Sequence, residues 1–247
     1  MRAMTENRPK CLVEFAGRPL LEWQLAALRT VGVDDVTLVV GYQAAALEGY
    51  GSQRVENPRW AETNMVYSLM CARDVLTSGT GVLIGYSDLM YEPRLLATLC
   101  ASPGDVATVI DENWRLLWES RFNDPLADAE TLKRRHDGSL YEIGRKPRDY
   151  SEIEGQFVGL TRLSAAGAQR FVETWESVRS GQNPPFGNRS AETCHFTDML
   201  QRLIDLNFPV MAAPVRGGWL EFDSDTDFAL YDRWRATGKL GEFFEVW

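Results

Sequence analysis

Two aspartates stand where apolar runs end. Asp88 closes the run "GVLIGYSDLMY", and Asp223 lies in "GGWLEFDSDTD" between Glu221 and Asp225. In parallel α/β sheets ligands gather at the carboxyl ends of the strands. Two carboxylates from distant strand ends suit Mg²⁺, which commonly takes one or two carboxylates and completes its shell with substrate phosphates. An aspartate after a strand is more often a turn residue or a helix N-cap, and Asp225 reads as a cap for the last helix.

Lys10 follows Pro9 and precedes the apolar "CLVEF", while Lys146 sits in "EIGRKP". A lysine ammonium is a compact point charge suited to phosphate oxygens, the alternative being a solvated surface lysine. In "RWAETNMVYSL", Thr63, Asn64 and Ser68 fall at the start of a helix, where free N–H groups meet anions and Asn reads an amide-like base edge. An N-cap with a polar first turn explains the same residues. Trp114 and Trp118 cluster with Asp128 and Glu130, the aromatic and acidic surroundings that a small cation needs. Their i, i+4 spacing fits core packing as well.

These side chains need a scaffold. "GRPLLEWQLAALRTVGV" has apolar residues at helical spacing and stops at Gly32. "DDVTLVVGY", "GTGVLIGY" and "DVATVID" are short buried strands, and "TNMVYSLMCARDVL" is a helix between two of them. The alternation predicts a mainly parallel sheet with helices on both faces. From about residue 114 the texture changes. "LKRRHDGSLYEIGRKP" reads as a hairpin around Asp137-Gly138, "IEGQFVGLTRLS" as a strand, and "AAGAQRFVETWESVRS" and "FTDMLQRLIDLNFP" as helices. "VMAAPVRGGWLEFDS" is a strand or strand pair, and "DTDFALYDRWRAT" a closing helix.

Composition excludes several classes. The 247 residues allow one large α/β domain or two small ones, with 45% hydrophobic and 25% charged residues as in ordinary globular proteins. A formal charge of −9 without a basic stripe argues against nucleic acid as a partner. No apolar run reaches the ~20 residues that span a bilayer, and no signal-peptide pattern opens the chain. Cys11, Cys71, Cys100 and Cys194 are scattered without a C-x-x-C pair, and the two histidines, His136 and His195, make a zinc site improbable. The cysteines read as reduced thiols of a cytoplasmic protein.

Taken in order, "TENRPKCLVEFAGRPLLEWQL", "ETNMVYSLMCARDVL", "EIGRKPRDYSEIEGQFVGL" and "GGWLEFDSDTD" resemble the nucleoside-triphosphate transferase superfamily, the sugar-nucleotidyltransferase-like enzymes. Within it the chain is most similar to the phosphocholine and phosphonate cytidylyltransferases. The resemblance implies a Rossmann-like three-layer α/β/α fold with a mixed sheet, in a single domain over residues 1–247. Residues of about 111–160 would form an acceptor-binding subregion with a small β-hairpin. By position, Lys10 matches the lysine that neutralises the nucleotide phosphates, and Asp88 and Asp223 match the aspartates that hold Mg²⁺. Thr63, Asn64, Ser68, Tyr86 and Ser87 fall in the nucleotide pocket, and Lys146 matches the lysine on the acceptor phosphate.

The implied reaction joins CMP from CTP to a small phosphate or phosphonate and releases pyrophosphate. Trp114, Trp118, Asp128 and Glu130 would then face a cationic group on the acceptor. A sugar-1-phosphate nucleotidyltransferase is the alternative within the class, and a catalytically impaired nucleotide-binding or scaffold protein the alternative outside it. Monomer and homodimer both stay open. The usual opening strand and Gly-rich loop do not precede "TENRPK", which reads as the tail of a longer turn with Met1 or Met4 internal. Strands beside the place of that strand are expected to carry unpaired edges.

Overall fold

The computed structural model describes residues 2–247. The chain begins with a short helix α1 (Arg2–Thr5), a small ribbon of β1 (Glu14–Phe15) and β2 (Arg18–Pro19), and helix α2 (Leu20–Thr30). Leu20, Leu21, Trp23 and Ala27 give α2 its buried face, and Gly32 follows its end at φ +77°, a left-handed stop that glycine adopts without strain. Strands β3 (Thr37–Val40) and β4 (Gln53–Glu56) pair in parallel.

The stretch expected as one helix is two, α3 (Met65–Cys71) and α4 (Arg73–Leu76), separated at Ala72, whose φ/ψ of −94°/28° lies outside the helical region. The break lets α4 pack on a later helix, where Arg73 pairs with Glu176 at 3.0 Å.

There follow β5 (Val82–Gly85), β6 (Leu89–Tyr91), α5 (Pro93–Ala101), β7 (Val106–Asp111), α6 (Trp114–Arg121) and α7 (Pro125–Asp128). The Asp-Gly hairpin is β8 (Leu132–Arg134) with β9 (Leu140–Ile143). Asp137 accepts the Ser139 N–H at 2.9 Å, and Gly138 takes φ +83°. The chain ends with β10 (Gln156–Leu163), α8 (Ala165–Arg179), α9 (Phe196–Asp205), β11 (Val210–Val215), β12 (Trp219–Glu221) and α10 (Asp225–Thr237).

The central sheet has the order β11-β7-β10-β5. Only β11 and β7 are parallel, since β10 runs against both of its neighbours. The mainly parallel sheet suggested by element alternation is therefore corrected to a mixed one. The reason is visible in the register: Gln156 lies opposite Asp111, so the chain leaves β7, builds α6, α7 and the hairpin, and re-enters at the end it left.

Side chains of β7 alternate between two apolar layers, as the twofold pleat requires. Ala107 and Val109 face α2, α5, α6 and α10, while Val106 and Ile110 face α3, α4, α8 and α9. The result is the three-layer α/β/α fold. A third, small cluster of Cys11, Leu21, Val40 and Leu47 lies by β3. Strand β3 pairs only with β4, and β5 only with β10, so one edge of each has no strand partner among the described residues.

Candidate active site

A second ribbon sets the two aspartates together. β12 pairs antiparallel with β6, with Glu221 opposite Leu89, and the Phe222 N–H donates to the Asp88 carbonyl at 2.9 Å. Asp88, just ahead of β6, and Asp223, just past β12, thereby meet at one end of the ribbon. Lys10 reaches them from the turn after Pro9. Its Nζ donates to Asp88 Oδ2 at 2.8 Å and to Asp223 Oδ1 at 2.9 Å.

Burial works against the Lys10 ammonium, yet the charges and hydrogen bonds of Asp88 and Asp223 outweigh it and hold its pKa above the ordinary value. Asp223 responds in kind: burial works to raise it, but Lys10 and Arg121 hold it below the usual carboxylate range.

Arg121 underlies this pair. Its side chain is 1% exposed and its guanidinium reaches Glu221 at 2.8 Å, Asp227 at 3.0 Å and Asp223 at 3.3 Å. Asp227 also accepts the N–H groups of Asp223 at 3.0 Å and Ser224 at 2.8 Å. Ser224 is the N-cap of α10, with Asp227 completing a capping box, so the cap expected at Asp225 belongs to the residue before it. Burial pushes the Glu221 carboxyl up against the pull of Arg121, with Asp223 and Asp88 adding to the rise.

One oxygen in this cluster stands out. Asp88 Oδ1 is buried and has no hydrogen-bond partner. Such orphans are rare in native structures and call for an explanation, an ion being one. A hard cation with oxygen ligands fits an orphaned carboxylate oxygen beside a second aspartate. No group of three or more His, Cys, Asp and Glu suited to a metal occurs among the described residues. That is compatible with Mg²⁺, which takes few protein ligands and completes its shell with phosphates and water.

Lys10, Ser68, Tyr86, Ser87 and Asp88 line one cavity. Tyr86 is fixed on its backbone, its N–H donating to the Gly159 carbonyl at 3.1 Å and its carbonyl accepting from Gln24 at 3.0 Å. Gly159 sits at the register shift of β10 with φ +86°, and a Cβ there would meet the Tyr86 ring at 3.0 Å. Burial pushes the Tyr86 hydroxyl up.

Asn64 is the N-cap of α3, accepting the Met65 N–H at 3.0 Å. Thr63 and Ser68 are joined through Asn57, whose Nδ2 reaches their hydroxyls at 3.0 and 2.9 Å. Asn57, 1% exposed, did not stand out in the sequence; its signal is the "ENP" that follows the β4 run.

The acceptor-side residues are differently placed. Trp114 and Trp118 are each 4% exposed and belong to the core, edge to face on each other at 5.8 Å. The ring faces expected for a ligand cation are covered by protein, which corrects that expectation. Trp118 Nε1 instead donates to Asp128 Oδ2 at 3.0 Å, tying α6 to α7. Burial pushes the Glu130 carboxyl up, although a hydrogen bond from Thr197 works against it. Lys146 Nζ donates to the Leu126 and Ala127 carbonyls, both at 2.5 Å, which engages it with α7.

Arg121 also escaped the sequence reading. Its signal is a cation three residues after Trp118 on the apolar stripe of a helix, where a charge has to be paired.

Comparison with known proteins identifies the family. A family model described as the MobA-like NTP transferase domain matches residues 2–148. The CTP:phosphoglutamine cytidylyltransferase of Campylobacter jejuni is 30% identical over 236 residues, 92% of this chain and 92% of that protein. The choline-phosphate cytidylyltransferase of Streptococcus pneumoniae is 37% identical over 82 residues, 32% of this chain and 36% of that protein. Among solved structures, the CTP:phosphocholine cytidylyltransferase of S. pneumoniae aligns with a TM-score of 0.69 at 20% identity, over 94% of this chain and 92% of that one. The inositol-1-phosphate CTP transferase of T. maritima aligns with a TM-score of 0.68 at 17% identity, over 100% of this chain and 93% of that one. At those identities the structural likeness speaks for the fold. With the family match and the full-length relative beside it, the chain belongs to the MobA-like NTP transferase domain family.

Proposed function

We propose that this chain transfers a cytidylyl group from CTP to a small phosphorylated or phosphonate acceptor and releases pyrophosphate. The observation that carries the reading is the Lys10 ammonium held between Asp88 and Asp223, with the orphaned Asp88 oxygen beside it. The cytidine choice is supported by the named activities of the relatives rather than by any base contact.

Asp88 and Asp223 would hold Mg²⁺, which when bound supplies positive charge to the phosphates of the nucleotide. Lys10 exchanges its carboxylate partners for phosphate oxygens as the nucleotide arrives. Thr63, Asn64, Ser68, Tyr86 and Ser87 form the nucleotide side of the site. On the acceptor side, Lys146 turns from the α7 carbonyls to the acceptor's phosphate, and Asp128 and Glu130 supply carboxylates to a cationic group where the acceptor has one. Residues of about 111–160, hairpin included, make up that side.

An oxygen of the acceptor attacks the α-phosphorus in line with the departing pyrophosphate. The acceptor is already anionic, so no general base is required. Positioning and neutralisation of repelling charge carry the rate.

The test is pyrophosphate release from each of the four ribonucleoside triphosphates, with and without Mg²⁺. The acceptors are phosphocholine, 2-aminoethylphosphonate and glucose 1-phosphate. A requirement for Mg²⁺ and a preference for CTP are expected; equal turnover with UTP would remove the cytidine assignment. Preference for glucose 1-phosphate would move the enzyme to the sugar nucleotidyltransferases.

A further inference from the structure

Asp111 is the last residue of β7 and only 1% exposed, a buried carboxylate outside the cluster around Lys10. Aspartates are almost never buried so fully unless they are paired. This one is met by three N–H donors. Its Oδ1 accepts the Asn113 N–H at 2.8 Å and the Gly217 N–H at 3.0 Å. Its Oδ2 accepts the indole N–H of Trp219 at 2.9 Å. Burial pushes the carboxyl up, and these three bonds work against the rise.

The donors belong to two elements that meet again at Asp223. Asn113 is the N-cap residue of α6, and Arg121, at the other end of that helix, reaches the Asp223 carboxylate at 3.3 Å. Gly217 and Trp219 lie at the turn into β12, from which the chain runs on to Asp223 itself. The Trp219 ring also lies against Trp118 of α6, with centroids 6.0 Å apart. One carboxylate thus joins the start of the helix that supplies the cation to the start of the strand that supplies the aspartate.

The β6–β12 ribbon needs such a tie. It has two strands of three residues each, and an isolated ribbon of two strands is marginal in water. Its register decides the site, because a slip of one residue turns every side chain to the opposite face. A slip would carry Asp223 away from Lys10 and Asp88. Other bonds of the turn run from Arg94 to the Arg216 carbonyl at 3.1 Å and from the Gly218 N–H to the Phe243 carbonyl at 2.7 Å. Those hold it to α5 and to the end of the chain; Asp111 ties it to α6.

We propose that Asp111 is a positioning residue for the transfer reaction: its carboxylate fixes β12 against α6 and so sets Asp223 between Lys10 and Arg121. Its effect on rate rests on the transfer reading, whereas its effect on the ribbon stands on geometry alone. An asparagine cannot take its place. The amide has one acceptor oxygen and a donor NH2, so whichever way it turns, a donor faces at least one of the three N–H groups.

The test compares Asp111→Asn, Trp219→Phe and their combination in the whole chain. Val106→Ala, at the far end of β7, controls for lost stability alone. Amide exchange of Phe222, whose N–H joins the ribbon to the Asp88 carbonyl, is read by NMR without substrate. Steady-state kinetics with CTP and the best acceptor of the panel above reads kcat and KM separately. In Asp111→Asn, exchange at Phe222 is expected to quicken at least about tenfold more than in β11, a ratio that Val106→Ala leaves near one. Its kcat should fall at least about tenfold while acceptor KM moves less than about threefold. Trp219→Phe should do the same in smaller measure. The combination should be no worse than Asp111→Asn, because the opposed donors are gone. Exchange at Phe222 or a kcat matching Val106→Ala would overturn the proposal, as would losses that multiply in the double variant. A wild type that transfers no CMP counts against the transfer reading, and Phe222 exchange then still decides whether Asp111 holds the ribbon.

Discussion

Asp88 and Asp223 grip the same ammonium group, Lys10 Nζ, at 2.8 and 2.9 Å, although one precedes β6 and the other follows β12. The contact exists because the two strands run antiparallel with Glu221 opposite Leu89. It places two acidic groups and one basic group within a single hydrogen-bonded unit. Each can then be removed separately.

Asp88→Asn and Asp223→Asn are each expected to lower kcat by about a hundredfold or more, the scale on which a lost electrostatic contact at a reacting centre is felt. The fold should survive, since neither carboxylate is completely buried and Asp88 Oδ1 bonds to nothing in the protein. Steady-state kinetics with a thermal melt checks both halves. Wild-type turnover in both variants would leave these aspartates as turn residues.

Lys10→Gln gives a pH-dependent loss of stability. The raised pKa of Lys10 means that its contribution is present below the unfolded value of about 10.5 and fades as pH climbs through the higher folded value. The lowered pKa of Asp223 means that its share is present above the unfolded value of about 3.8 and fades as pH falls through the lower folded value. The difference between wild type and variant should therefore be flat from about pH 5 to 9 and shrink on either side. Asp223 is half exposed, which screens the pair, so roughly 1–2 kcal/mol is expected on the plateau. Urea melts across pH measure it; a difference that grows below pH 4 would contradict the pairing.

Arg121→Met should cost about 3–5 kcal/mol, because removing one member of a buried charge cluster leaves the others uncompensated. Arg121→Lys should recover only part of the loss. One ammonium cannot reproduce the fork that meets Glu221, Asp227 and Asp223 together. Denaturant unfolding of both variants is the measurement. Equal stability of the lysine variant and wild type would show that charge alone suffices.

Trp114→Leu should destabilise the protein by about 2–4 kcal/mol, as a truncated core aromatic does. KM for phosphocholine should stay within about twofold of wild type, since the ring is covered by protein. A large rise in KM with unchanged stability would restore a ligand-facing role.

The sequence was a good guide wherever a residue announces its own local geometry. Gly32 ends α2, Asp137-Gly138 turns the hairpin, and apolar runs mark β5, β7 and β10. Strand direction was not legible, because antiparallel β10 and parallel β11 carry the same kind of apolar run. It is settled by which end of β7 the chain returns to. At the candidate site, Asp88 and Asp223 could be found as strand-end carboxylates. Their meeting depended on the pairing of β6 with β12, which no local pattern encodes. Trp114 and Trp118 illustrate the opposite difficulty: a ligand face and a core face have the same spacing, and only packing against Trp219 and Tyr150 separates them.

The alternation of β7 has a consequence for how the protein comes apart. Ala107 and Val109 are committed to one of the two large apolar layers and Val106 and Ile110 to the other, so β7 is a party wall, and neither side can be dismantled while the other stands. Those layers should melt in one cooperative step.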